Sequence, residues 1–357
     1  MNKQISNRLD NEKESIAEQV LKLQYEIQPE LKQQFGQEGY EKCKVDTIYH
    51  LSYLAEAIAQ KQTNLFESYL TWVKVLMESL KIGTQHMIVN LECTITIVSK
   101  MFPVSEHEII LKYLNAGLNH LKSDSVDLPT FMAKDLPLAD LADKYLEFIL
   151  NAEKYNAMDL INHAVQSGVS INDLYLYVFQ KTQYEIGRLW QINKISVAQE
   201  HYCTSLTQVI MSQLYPLILK NRKERNRLRF LGLCITSELH ELGIRMVCDF
   251  LELNGWDTHY LGAGMPEHDI LKAIKDISPD IIGISATLAI NISKVEHLIE
   301  EVKKQFSDKR PQIIVGGCPF NICLGLWKNI GADGYSVDAK EAVVLCNKLV
   351  LNKGNWI

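Results

Sequence analysis

The sequence predicts an α plus α/β protein: an N-terminal helical domain, a four-helix-bundle cap, and a C-terminal doubly wound, flavodoxin-like parallel sheet. Three observations carry this. Apolar residues recur at three- and four-residue steps from about 10 to 122. The same spacing returns from about 138 to 219, with short breaks. From Arg229 onward the period changes to short apolar runs alternating with helix patterns. The expected domains are 1–125, 138–220 and 228–357.

In the first region, HLSYLAEAIA and LFESYLTWVKVLMESL place their apolar residues on one helix face. Pro103 and the acids after Ser105 mark a loop followed by a helix start. Residues 123–137 hold three Asp and two Pro and predict a linker. Helices are then expected over roughly 140–167, 171–191 and 194–219, with breaks at Gly168 and near Asn193. Short connections between long amphipathic helices favour an antiparallel bundle of about four. Asn221 to Arg229 carries five basic residues and one acid and predicts a solvated linker. LRFLGLCIT, WDTHYLG, DIIGISAT and PQIIVGG are four short strands, with ADGYSVD a weaker fifth. Strands alternating with helices give parallel βαβ units, and five strands suit the flavodoxin-like order.

Composition narrows the function classes. The 357 residues are 47% hydrophobic and 22% charged, a globular balance. The net charge of −6 argues against nucleic acid as a partner. No apolar run reaches the roughly 18 residues of a membrane span. The polar start MNKQISNRLDNEKES lacks a signal peptide's apolar core, so a cytoplasmic location is expected. None of the eight cysteines forms a C-x-x-C pair, so zinc and disulfide frameworks are both poor readings.

Ligands of doubly wound sheets bind outside the carboxyl ends of the strands. After the first strand comes Ser237-Glu238-Leu239-His240-Glu241-Leu242-Gly243; after the third, Ser285-Ala286-Thr287; after the fourth, Gly316-Gly317. His240 projects from a loop, where imidazole can reach a ligand or metal. Glu238 can accept its other N–H and raise its basicity. Gly243 lets backbone approach at the helix start, and Ser285 and Thr287 offer hydroxyls. Gly316 and Gly317 leave no side chains where a flat group could pass. No G-x-G-x-x-G follows the first strand, which disfavours a nicotinamide site.

Together these residues resemble the cobalamin-binding fold, with its D-x-H-x-x-G, S-x-L and GG motifs in their usual order. The resemblance covers roughly 228–350. Glu238 stands for the Asp and Thr287 for the Leu. It implies base-off binding of a cobalamin, with His240 on the lower face of cobalt and the nucleotide tail beside Ser285 and Gly317.

The bundle would cover the upper face. Trp190 is followed nine residues later by Glu200-His201. An indole there could stack on an upper ligand, and Glu200 could accept hydrogen bonds. W-x9-E-H ahead of a cobalamin fold resembles the CarH-type photoreceptors. That resemblance implies adenosylcobalamin, with Trp190 and Glu200 at the adenosyl group and His201 supporting. Gln191 stands where those sensors carry a second His. The N-terminal region shows no basic recognition helix and no wing-like strands. From His50 through Trp72 to about Leu121 it is instead similar to the photocobilins, which implies biliverdin as a second chromophore. The candidates are His50, Tyr53, Tyr69, Trp72 and His86; Cys93 is available for attachment, but a covalent bond is not expected. The expected function is therefore a light-responsive, non-enzymatic adenosylcobalamin protein, signalling through a homo-oligomer, such as a dimer, or a downstream partner. The alternatives are a corrinoid protein of a methyltransferase system carrying methylcobalamin, and a mutase subunit whose substrate barrel lies on another chain.

Overall fold

The computed structural model describes residues 1–123, 128–307 and 310–353. The chain divides into two compact units, Met1–Val126 and Asp127–Ile357.

The described residues of the first unit form five helices: α1 (Asn2–Ile27), α2 (Glu30–Gln60), α3 (Thr63–Ser79), α4 (Gln85–Met101) and α5 (Val104–Leu121). Its helix starts at Asn2, earlier than the apolar spacing indicated, because the first residues are polar but already helical. α2 is kinked at Gly36, whose φ of 62° lies outside helical space. Leu9, Ile16, Val20 and Leu21 of α1 are buried with Leu51 and Ile58 of α2, Leu70 of α3, Val98 of α4 and Leu114 of α5. A polar layer crosses this core: Asn90 Nδ2 donates to Gln24 Oε1 at 2.8 Å and to Thr47 Oγ1 at 3.0 Å.

The second unit opens on the latter part of the expected linker; 124–127 lie outside the described residues. The rest is not loose. The Phe131 N–H donates to Glu185 Oε2 at 2.9 Å, and Glu185 is in turn paired with Arg188 at 2.6 Å. The expected helix over 140–167 is two helices, α6 (Ala139–Leu150) and α7 (Lys154–Gln166). They are separated by a turn in which Ala152 takes a φ of 58°. Next come α8 (Ile171–Asp173), a π-helical segment at Leu174–Phe179, α9 (Gln180–Gln191) and α10 (Val197–Asn221). The α8-to-α9 stretch is one rod, so the split of α6 and α7 completes the four-helix count. Ser196 starts α10 with a capping box, its hydroxyl accepting from the Gln199 N–H.

Five parallel strands follow: β1 (Arg229–Ile235), β2 (Asp257–Met265), β3 (Ile281–Ser285), β4 (Gln312–Gly316) and β5 (Gly334–Tyr335). Their order is β2-β1-β3-β4-β5, the flavodoxin-like arrangement. β5 is only two residues long, in keeping with its weak apolar signal. The intervening helices are α11 (Leu242–Leu253), α12 (Glu267–Ile277), α13 (Ile292–Phe306), the short α14 (Cys318–Ile322) and α15 (Leu326–Asn329), and finally α16 (Ala339–Lys353). β1, β3 and β4 are almost wholly buried, as befits strands covered on both faces.

Bundle and sheet share one core, which runs from Tyr145, Tyr175 and Phe179 to Phe230, Phe250 and Trp256. Polar contacts fix the docking of α10 on α11. Arg245 donates to the Gln208 carbonyl and to Ser212 Oγ, and Gln208 Nε2 donates to Glu241 Oε1 at 2.9 Å. Among the described residues no helix is long and apolar enough to cross a membrane.

Candidate functional site

Parallel register brings the three carboxyl-end loops together. Cys234 of β1 lies beside Ser285 of β3, which lies beside Gly316 of β4. The loop after β1 therefore stands next to the loop after β3, and a buried carboxylate bridges them. Glu238 is fully buried, and its Oε1 lies 2.5 Å from His240 Nδ1. Its Oε2 accepts from the Thr287 N–H at 2.8 Å, the Leu288 N–H at 3.0 Å and Asn291 Nδ2 at 3.1 Å. Burial alone would push this carboxyl up; the bonds from His240 and from the backbone of Leu288, Thr287 and His240 overcome it and hold it at about 2. The hydrogen bond to Glu238 raises the His240 imidazole above its ordinary value against burial, and the charges of Glu238 and Glu200 add to the rise.

With Nδ1 tied to Glu238, Nε2 is the nitrogen left to a ligand, on a side chain that is 57% exposed. A Cβ placed on Gly243 would meet nothing within 4 Å, so open space adjoins the imidazole loop. An oriented, half-exposed imidazole at the sheet's carboxyl edge fits the lower ligand of a cobalamin. Thr287 serves Glu238 through its backbone N–H, so a threonine in place of leucine leaves that contact intact. Ser285 is half-buried at the end of β3.

The two glycines also differ in how closely the backbone around them packs. Gly317 takes a φ of 114°, and a Cβ there would lie 1.9 Å from the Ala286 carbonyl oxygen. Its missing side chain lets the β3 and β4 loops touch, in addition to any room it leaves for a ligand. Gly316 is less constrained, with 3.2 Å from its ideal Cβ to the Ser336 oxygen.

On the cap, Trp190 is half-buried in the last turn of α9, and Glu200 lies in the first turn of α10. Glu200 Oε1 accepts from the Thr204 hydroxyl at 2.9 Å. Thr204 Oγ1 also lies 2.9 Å from Gln183 Oε1, so this polar row ties α9 to α10. His201 lies 3.6 Å from Glu200 and is 74% exposed. Gln191 is buried.

Sequence reasoning missed several residues. Asn291, only 1% exposed, donates to Glu238 and accepts from Ser237 Oγ at 2.7 Å. Lys294 Nζ donates to the same Ser237 oxygen at 2.7 Å. Glu241 accepts from Gln208 of the cap and from the Ala263 N–H at the end of β2. The only available signal for Asn291 was a polar residue six positions after Ser285, where a helix begins.

In the first unit three of the bilin candidates, His50, Tyr53 and Tyr69, contact one another. His50 Nδ1 lies 2.7 Å from the Tyr69 hydroxyl, and Tyr53 stacks on Tyr69 with centroids 3.7 Å apart. Burial pushes His50 down to about 4. His86 Nδ1 lies 3.2 Å from Gln28 Nε2, and Trp72 is 37% exposed. Cys93 is buried and its thiol is pushed up to about 11, which disfavours the thiolate needed for attachment.

Residues 228–344 match the family model of the B12 binding domain, and 141–215 match a second B12 binding domain model. The chain is a cobalamin-binding protein. Among curated proteins it is similar to dimethylamine corrinoid protein 2 of Methanosarcina acetivorans, 29% identical over 120 residues, which are 33% of this chain and 54% of that one. Dimethylamine corrinoid protein 3 of the same organism is 30% identical over 118 residues, with the same shares. The chain thus spans about half the length of these relatives. A corrinoid protein of Desulfitobacterium hafniense is 23% identical over 217 residues, 60% of this chain and 99% of that one. The solved monomethylamine corrinoid protein of Methanosarcina barkeri superposes with a TM-score of 0.52 at 20% identity, over 60% of this chain and all of that one, a likeness of fold.

These relatives overturn the expectation of a light-responsive adenosylcobalamin photoreceptor with a biliverdin partner. They are named as corrinoid proteins of methylamine systems, the alternative carried from the sequence. The reason for the misreading is positional. W-x9-E-H lies on the α9–α10 hairpin, inside the stretch matched by the second B12 binding domain model. That stretch is matched as a B12 binding domain, and none of these relatives is named as a light sensor.

Proposed function

We propose that this chain is the corrinoid carrier of a methyl-transfer system: it holds a methylated cobalamin, presents it to a partner methyltransferase and performs no catalysis of its own. The observation that carries this reading is the run of relatives named dimethylamine corrinoid proteins. On this reading the source of the methyl group is a small methylated amine. When bound, the corrinoid supplies a cobalt that takes up and gives up the methyl group.

The chain's own residues do the holding. His240 offers Nε2 to the lower face, while Glu238 fixes its ring and accepts the Nδ1 proton. Asn291 and the Thr287 and Leu288 N–H groups keep that carboxylate charged and in place. Trp190 and Glu200 cover the upper side, where a methyl group needs far less room than an adenosyl group.

The test is a titration of the apo chain in the dark with methylcobalamin and with adenosylcobalamin, repeated on Trp190→Ala. A carrier binds the methyl form at least as tightly as the adenosyl form. Adenosylcobalamin binding at least about tenfold tighter, a difference of about 1.4 kcal/mol, and lost on Trp190→Ala, would contradict the proposal.

A further inference from the structure

We propose that the amino edge of the sheet carries a second ligand site, a cleft for a phosphate-bearing anion built from Arg225, Arg227 and Arg229. The cleft is open to solvent, holds about 300 Å³ and is lined by these three exposed arginines with Gly255 and Asp257. Three guanidinium groups stand against the carboxylate of Asp257 and, beside Arg229, that of Asp280, which leaves a positive surplus in a chain whose net charge is −6.

The basic segment is the exposed connection that its composition suggested, but it does not hang free. Its backbone is strapped to the turn between α11 and β2. The Lys223 N–H donates to the Leu253 carbonyl at 3.0 Å, Asn226 N–H to Gly255 at 3.0 Å, and Asp257 N–H to Leu228 at 2.8 Å. The strap runs so close that a Cβ on Gly255 would lie 2.3 Å from the Glu224 carbonyl oxygen. Arg227 sits at a φ of 63°, a backbone region that residues with side chains seldom adopt.

The five basic side chains divide their work. Arg222 pairs with Glu252 and Lys223 with Asn254 Oδ1, both anchoring the strap. The Arg229 guanidinium donates to the Ile277 carbonyl, which fixes its position without neutralising it. Of the two acids here, Asp257 stands 3.7 Å from His259, and Asp280 accepts from the Arg229 backbone N–H at 2.8 Å. Guanidinium groups stay charged and present forks that match phosphate oxygens. A cleft of this size suits a small ligand rather than a duplex. Arg229 opens β1, and seven residues of strand separate it by about 20 Å from the loops that hold His240. A ligand here does not meet the corrin.

The test uses the full chain loaded with cobalamin and titrated calorimetrically with pyrophosphate at low salt. Saturable binding that weakens with added sodium chloride is expected. Arg225→Ala with Arg227→Ala should lower that affinity at least about tenfold while the bound cobalamin spectrum is unchanged. Arg227→Lys, which keeps the charge but not the fork, should fall between. Failure to saturate by about 10 mM pyrophosphate, or equal binding by the double variant, would overturn the proposal.

Discussion

Glu238 Oε1 lies 2.5 Å from Nδ1 of His240, while its other oxygen accepts three hydrogen bonds from the loop and helix start that follow β3. One buried carboxylate thus joins two loops and orients the imidazole that they expose. Glu238→Ala should weaken cobalamin binding by about 10- to 100-fold, the usual cost of losing such a partner. Absorbance titration of the apo chain checks this. An unchanged affinity would remove Glu238 from the account.

Asn291 is predicted to matter through Glu238. Asn291→Ala leaves Ser237 without the amide oxygen it donates to, and Glu238 with one donor fewer. Leaving buried polar groups short of a partner costs about 1–3 kcal/mol. Urea unfolding of the apo chain should show a loss of that size, with cobalamin affinity falling alongside. Asn291→Asp should be worse, since it sets a second carboxylate against Glu238.

Tyr175 of the cap donates a 2.8 Å hydrogen bond to Asp249 of α11, and both are buried. Burial pushes the Asp249 carboxyl up to about 6, from 3.8, although the Tyr175 bond and Arg245 pull it down. The folded state therefore binds this proton more tightly than the unfolded chain. The resulting stability is full below pH 3.8 and is lost as pH rises through about 6. The loss is on the order of 3 kcal/mol. Asp249→Asn removes it, so the variant should melt several degrees above wild type at pH 8 and show no such gain at pH 4. An equal shift at both pH values would contradict the assignment.

The glycine pair separates into a strict and a lenient position. Gly317→Ala forces a Cβ to 1.9 Å from the Ala286 oxygen and keeps an unfavourable φ, so the two loops must part. A loss above about 3 kcal/mol, together with weakened cobalamin retention, is expected. Gly316→Ala, with 3.2 Å to Ser336, should cost distinctly less. Paired thermal melts decide it; equal effects would mean that the contact with Ala286 is not what fixes Gly317.

The fold was legible because its signals are periodic. Alternating strands and helices from Arg229 onward gave the sheet, and its order followed from five strands. The break between α6 and α7 was not legible: the turn uses Ala152 in a left-handed conformation, with no Gly or Pro to mark it. The π-helical segment at Leu174–Phe179 keeps a helical apolar pattern and hides in the same way. At the site, Glu238 and His240 were readable because they are two positions apart in one loop. Asn291, distant in sequence from the Glu238 that it bonds, becomes visible only when β1 and β3 lie side by side. The light-sensing reading failed for another reason. Trp190 and Glu200 lie on the α9–α10 hairpin, within the stretch matched by a B12 binding domain model, and their spacing does not distinguish one upper ligand from another.

The central claim is that His240 is the lower ligand of the bound cobalamin. The direct measurement is electron paramagnetic resonance of the chain loaded with cob(II)alamin, comparing ordinary protein with protein whose histidines carry the spin-one-half isotope of nitrogen. Each cobalt line should appear as a triplet in the ordinary sample and collapse to a doublet in the labelled one, and His240→Ala should abolish the difference. Triplets in both samples would mean that the cofactor's own base remains on cobalt, and would contradict the account.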